Sequence, residues 1–478
     1  MLIGFVIFYL VISIGIGVYA ATRVHTAKDY ITAGQSLPMI IVVAMVFATW
    51  FGAETVLGIP ATFMKENLGG TISDPFGASL ALILFGLFFA RPLYRMKLIT
   101  LGDFFRKRYS RPVEIVMALA IAASYLGWVS AQVVALGLVF NVLSDGIITQ
   151  AQGILIGGGV VALYTLFGGM WSVAITTFVQ MTVIVIGLLW IAFLVSSMPQ
   201  VDGVMPVVQH AAAAGKFQFW PPLEWGAVIT FVAGLLTMGL GSVPQQDVFQ
   251  RANSSKNEFV AVWGTVIGGV LYLLFAAVPL YLTYAASLVD PATTGALLAT
   301  DVQKLLPTFV KDHLPLAAQI IFYGALLSVI MSTASGTLLA PAVTISENII
   351  KEFMPAHRLT QHALLRITQA VVVVFAVLVM AYAVWSAEAE TPIHTMVENA
   401  YKVTLAMAFV PLAAGVYWRR ANNAGAVLSM LLGFVTWIVA EFLLPAESPL
   451  PAQFVGFFAS LVGMVAGSLV RPAHAHSK

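Results

Sequence analysis

Apolar residues fill long unbroken runs of this chain, and polar residues collect in the gaps between them. A helix needs about 20 apolar residues to cross hydrocarbon. Runs of that kind recur at 2–20, 38–60, 75–93, 112–144, 149–168, 170–197, 225–243, 258–287, 315–348, 362–386, 395–418, 424–445 and 452–470. The pattern predicts an all-α membrane protein with about thirteen transmembrane helices. The short alternating segments of a membrane barrel are missing. The run 112–144 exceeds a bilayer's thickness, so it is tilted or projects beyond it. The first run lacks a basic flank and a small-residue cleavage pattern, and reads as a retained helix rather than a signal peptide.

Composition agrees with the pattern: 60% of residues are hydrophobic and 9% charged, against about 25% charged in soluble domains. There is no cysteine, which excludes disulfides and thiolate metal sites. The net charge of +2 says little, but the placement of the 23 Lys and Arg says more. With the N-terminus outside, every one falls on the cytoplasmic side except Lys65, Lys216, Lys304 and Lys311 outside and Lys402 within a span. That asymmetry is the positive-inside signature. It predicts a multi-pass plasma-membrane protein with a cytoplasmic C-terminus. The dense stretch RPLYRMKLITLGDFFRKRYSR (91–111) serves this topology; a lipid or nucleic-acid patch is its other reading. The longest external loops, 198–224 and 288–314, are too short for a folded module. The two histidines of the tail RPAHAHSK read as a frayed end rather than a metal site. No hydrolase, metalloprotease or nucleotide-binding signature is present, so an enzyme is not expected, nor is a nucleic-acid or obligatory protein partner.

Polar residues inside spans are costly unless they face a cavity or a partner, and four clusters stand out. ATWFGAETVLGIP (48–60) places Trp50, Gly52, Glu54 and Thr55 in mid-span. Its glycines and Pro60 mark a packing kink or a helix broken to turn carbonyls toward a cation. SVIMSTASGTLLAP (328–341) carries Ser332, Thr333, Ser335 and Thr337, whose hydroxyls either bond their own helix or line an oxygen pocket for a hard cation. LTMGLGSVPQQDVFQRANSSKN (236–257) interrupts a second span with Gly239, Gly241 and Pro244, followed by Gln245, Gln246 and Asp247. In VENAYKVTLAMAFVP (397–411), Glu398 and Lys402 share a helix face. They neutralise each other, or bind a zwitterion or gate a pathway. Two interrupted spans in corresponding positions suggest an inverted repeat. The layout is an N-terminal helix and loop (1–37), a first five-helix half (38–197), an external loop (198–224), a second half (225–418) and two C-terminal helices with a short tail (419–478).

LFGGMWSVAITTFVQ (166–180), VPQQDVFQRANSSKN (243–257) and VIMSTASGTLLAPAVTISENI (329–349) together resemble the sodium/solute symporter family, over residues 2 to 440. The resemblance implies the leucine-transporter-type fold, five plus five helices with an extra one at the N-terminus. It implies a Na+ site made by the carbonyls of Ala48, Phe51 and Val329 and the hydroxyls of Ser332 and Thr333. Solute positions fall on Trp50, Glu54, Thr55, Trp128, Gln245, Gln246 and Glu398. Lys402, in a span where relatives are often neutral, is expected to attract a substrate carboxylate. ATWFG, GLFFARP and VPQQDVFQR look especially like choline-transporting relatives, whose cage is incomplete here: Gln245 stands at a tryptophan position and Ala78 at a tyrosine position. Thr177 stands where relatives usually have aspartate. The implied activity is sodium-coupled symport, by alternating access, of a small organic solute: an amino acid, a carboxylate or a quaternary amine. Proton coupling through Glu54 or Glu398 is the alternative, and a transporter-like sensor a more distant one. Membrane lipid is the other expected partner.

Overall fold

The computed structural model describes every residue except Met1, Arg23, His25, 355–359, 446–447, 449 and 471–478. Arg23, Arg358, Arg471 and Lys478 of the basic set, and both tail histidines, lie outside the described residues. Among the described residues all regular structure is helical. The main elements are α1 (Leu2–Ala21), α2 (Met39–Trp50), α3 (Glu54–Lys65), α4 (Gly69–Arg95), α5 (Leu101–Arg108), α6 (Arg111–Leu143), α7 (Gln150–Ser196) and α8 (Trp225–Gly241). They continue with α9 (Gln246–Asn253), α10 (Glu258–Val289), α11 (Leu316–Asn348), α12 (Gln361–Glu388), α13 (Ile393–Tyr417), α14 (Asn423–Leu443) and α15 (Ala452–Val470).

Nine helices among the described residues are long and apolar enough to cross a membrane, and eleven if α2/α3 and α8/α9 each count as one bent span. These coincide with eleven of the expected runs. The remaining two, 2–20 and 149–168, are helical, but only Ile7–Ile16 and Gln150–Leu163 stand out there as apolar stretches, both short. Thirteen crossings are therefore not established.

Local chemistry sets the helix boundaries. Asn257 and Asn422 cap α10 and α14 by accepting from Val260 N and Gly425 N, while Thr100/Asp103 and Thr149/Gln152 form capping boxes at α5 and α7. The long α7 bends at Gly169, where φ is +49° and ψ −141°. A bridge between Leu37 and Ser255 ties the approach to α2 to the end of α9, with Leu37 N donating to Ser254 O at 3.1 Å.

Burial separates the interior helices from the outer ones. In the most apolar windows of α6 and α11, 78% and 72% of residues are buried, against 33% in α12 and 28% in α14. The outer helices present large apolar side chains such as Phe193, Val374 and Phe442 to their surroundings, as lipid-facing surfaces do. α6, α7 and α11 pack on one another, α1 lies along α7, and α10 packs on α2 and α4. The broken segments lie among these: α2 touches α9 and α11, and the start of α3 touches α13.

Gly169→Ala would force alanine into the positive-φ region and place its Cβ 2.5 Å from the Tyr30 ring and carbonyl. It should destabilise the protein by about 1–3 kcal/mol, read as a lower unfolding midpoint in detergent. An unchanged midpoint would contradict the bend at Gly169.

Candidate functional site

α2 ends at Trp50 because Phe51, at φ −73° and ψ 74°, leaves helical geometry. The chain resumes at Glu54, turned by 53°. Gly52 permits a close approach there: a Cβ would sit 2.6 Å from Glu54 Oε2 and 2.9 Å from Gln132 Oε1. The break frees carbonyls that a continuous helix would occupy, and hydroxyls cover them. Thr333 Oγ1 on α11 donates to Ala48 O at 3.0 Å and lies 3.3 Å from Phe51 O. Thr55 Oγ1 donates to Trp50 O at 2.8 Å. Ser332 Oγ lies 3.0 Å from Thr177 Oγ1, and Val329 is buried one turn before Thr333. Two freed carbonyls and neighbouring hydroxyls, with no formal charge, are a donor set suited to a hard monovalent cation. Ser335 and Thr337 follow the plainer expectation, bonding backward to Ser332 O and Thr333 O.

Beside these oxygens, Trp50 and Trp128 stack with centroids 4.7 Å apart, and Tyr401 closes on them at 5.3 and 5.7 Å. All three are buried. Glu54, also buried, accepts at both oxygens: from Gln132 Nε2 at 2.5 Å and from Trp128 Nε1 at 3.4 Å. Gln132 Oε1 in turn accepts from Ala53 N at 2.9 Å. Both oxygens thus face N–H donors, an arrangement that suits an ionised carboxylate, which can only accept. The indole N–H of Trp50 and the hydroxyl of Tyr401 are buried without a protein partner.

The second break, between α8 and α9, turns the chain by 46°. Gln245 faces Ser124, its Nε2 donating to Ser124 Oγ at 3.0 Å. Gln246 was expected near the solute, but its Oε1 accepts from Leu101 N at 2.9 Å at the start of α5. That backbone N–H lies in the first turn, where helices leave donors unpaired. Lys402 likewise turns away, its Nζ 3.9 Å from Glu441 Oε1 on α14. The expected Glu398–Lys402 pair is not formed. Glu398 is partly exposed. Successive helix positions diverge by about 100°, so Tyr401 occupies the inward face and Lys402 cannot.

Sequence reasoning passed over Gln132, Tyr401, Asp74 and Tyr272. Gln132 was legible as a polar residue four after Trp128, hence on the same face. Tyr401 sat inside a stretch whose two charges drew the attention. Asp247, named among polar residues without a role, accepts from Tyr125 OH at 2.5 Å, and the buried Arg251 donates to Met45 O at 2.7 Å.

The family model described as "Sodium:solute symporter family" matches residues 30–433. The human high affinity choline transporter 1 is 27% identical over 73% of this chain, which spans 61% of that transporter's length. The Escherichia coli sodium/pantothenate symporter is 26% identical over 97% of this chain and 96% of its own. An osmoregulated proline transporter of Bacillus subtilis is 24% identical over 98% and 94%. Among solved structures, a Na+-coupled sialic acid symporter in a substrate-bound outward-open state superposes with a TM-score of 0.82 at 18% identity, over 99% of this chain and 98% of that one. At that identity the likeness concerns the fold.

Gln132→Leu would leave Ala53 N–H and one Glu54 oxygen unpartnered in the interior, at a cost of about 1–3 kcal/mol. The unfolding midpoint should fall, and adding Glu54→Met should recover part of the loss. No fall in the single variant would remove Gln132 as the support of Glu54.

Proposed function

This chain belongs to the sodium:solute symporter family, and from that premise we propose that it carries out sodium-coupled symport of a small organic solute bearing a cationic amine. The observation that carries the reading is Glu54. A buried, acceptor-only carboxylate among three aromatic faces suits an ammonium group, which gains from both the charge and the ring faces. The orphaned Trp50 N–H and Tyr401 hydroxyl call for an acceptor on the same solute. An amino acid or a quaternary ammonium compound with an oxygen meets both demands; a solute with only carboxylate charge meets one. The choline and proline transporters among the relatives are in keeping with this class.

Sodium sits, in this reading, among Ala48 O, Phe51 O, Val329 O, Ser332 Oγ and Thr333 Oγ1. It takes the place of the hydroxyl donations that now cover the freed carbonyls and fixes the break of α2/α3 against α11. The Trp50–Trp128 stack parts to admit the solute beside Glu54 and Thr55, while Gln245 borders the site through Ser124. Residues 38–197 and 225–418 act as two inverted five-helix repeats whose relative rocking exposes the site to either side. Sodium biases that motion by binding one arrangement better than the other. The distribution of lysine and arginine supports a plasma-membrane protein with a cytoplasmic C-terminus.

Thermal unfolding of the purified protein tests both parts of the site. Sodium, compared with potassium, should raise the midpoint of the wild type, and Thr333→Ala should lose that rise. With sodium present, choline or proline should stabilise further, and Glu54→Gln should abolish this second rise while keeping the first. Stabilisation by pantothenate, with neither choline nor proline acting, would contradict the cationic-solute reading.

A further inference from the structure

A second carboxylate, Asp74 at the start of α4, is buried close to Glu54 and has no part in the solute or sodium readings. Its Oδ1 meets the hydroxyl of Tyr272 on α10. That hydroxyl lies 3.1 Å from Thr55 Oγ1, and Thr55 Oγ1 lies 2.8 Å from the carbonyl of Trp50 at the helix break, which also accepts from Gly52 N at 2.7 Å. These are three contacts in series, and each needs one hydrogen. The two hydroxyls supply only two. If Asp74 is ionised, one of the three contacts brings lone pair against lone pair at hydrogen-bonding distance. Asp74 Oδ2 is then also a bare carboxylate oxygen, since it has no partner, and burying such a group is costly.

One proton on Asp74 resolves the count. The carboxyl donates to Tyr272 O, Tyr272 donates to Thr55 Oγ1, and Thr55 donates to Trp50 O. Glu54 differs because both of its oxygens already accept from N–H donors. The titratable groups around Asp74 are Glu54, Tyr272, Tyr401 and His394, whose Nε2 lies 3.2 Å from Ser73 Oγ. α8, which packs over this segment, contributes no titratable residue. None of the groups named is a fixed cation.

We propose that Asp74 is a proton-binding site, loaded in this conformation, and that its proton completes a hydrogen-bonded chain through Tyr272 and Thr55 to the broken helix at Trp50. The proton is taken from water on the side to which the site last opened. It returns to water when α3 moves relative to α10 and parts Thr55 from Tyr272. Proton binding thereby favours the arrangement in which the break is clasped to α4 and α10. The inference shares Thr55 and Trp50 with the solute reading but does not require sodium or solute to be bound.

Infrared difference spectroscopy of the full chain in lipid nanodiscs, in sodium buffer at neutral pH and without added solute, tests it directly. Subtracting the Asp74→Asn spectrum from the wild type should reveal the carbonyl stretch of a neutral carboxylic acid, and Glu54→Gln should leave that band in place. Loss of carboxylate bands instead, from either Asp74 ionisation or a sodium ion held there, overturns the proposal. Asn can still donate to Tyr272, so that variant should fold. If it does not, Tyr272→Phe removes the carboxyl's partner and must shift the band; an absent or unshifted band overturns the proposal equally.

Discussion

Hydrocarbon offers no partners for backbone polar groups, so each carbonyl released inside a span has to be met from within the protein. The break at Phe51 and Gly52 releases carbonyls of Ala48, Trp50 and Phe51, and the surrounding structure is organised to meet them. α11 brings Thr333 to two, and Gly52 N together with Thr55 of α3 meets the third. The cost of interrupting a helix is thus converted into oxygen atoms aimed at one place. Hydroxyls are suited to this because they can rotate away when a cation supplies the charge instead.

A second constraint follows from the first. Breaking α2 allows Glu54 to begin a new helix at full burial, where its charge requires donors on both oxygens. Gln132 and the indole of Trp128, one turn apart on α6, provide them. The same turn sets Trp128 against Trp50, so the support of the carboxylate and the aromatic surface come from one helix face. Tyr401 adds a third ring to that surface from α13.

Much of this was legible in the chain. Eleven of the thirteen apolar runs coincide with candidate spans, because bilayer thickness fixes their length. Glycine and proline within two of those runs marked both interruptions. The mid-span hydroxyl at 333 marked the face of α11 that meets the first break. What the sequence could not convey was side-chain direction. Gln245 and Gln246 are neighbours, yet one faces Ser124 and the other the start of α5. Lys402 and Tyr401 are neighbours too, and only the tyrosine faces inward. Helical position alone separates them, and a one-residue uncertainty in register exchanges their roles. Asp74 lies just before the apolar run 75–93, yet it is buried near the start of α4, which begins at Gly69.

We propose that a cation holds the break at residues 51–53, between α2 and α3, against α11. Hydrogen–deuterium exchange of the purified protein, with peptides resolved across 46–58 and 326–336, measures this most directly. Replacing potassium with sodium should slow exchange in both segments together and leave the outer helices α14 and α15 unchanged. Equal exchange in the two salts, with both segments protected as in an unbroken helix, would contradict the account.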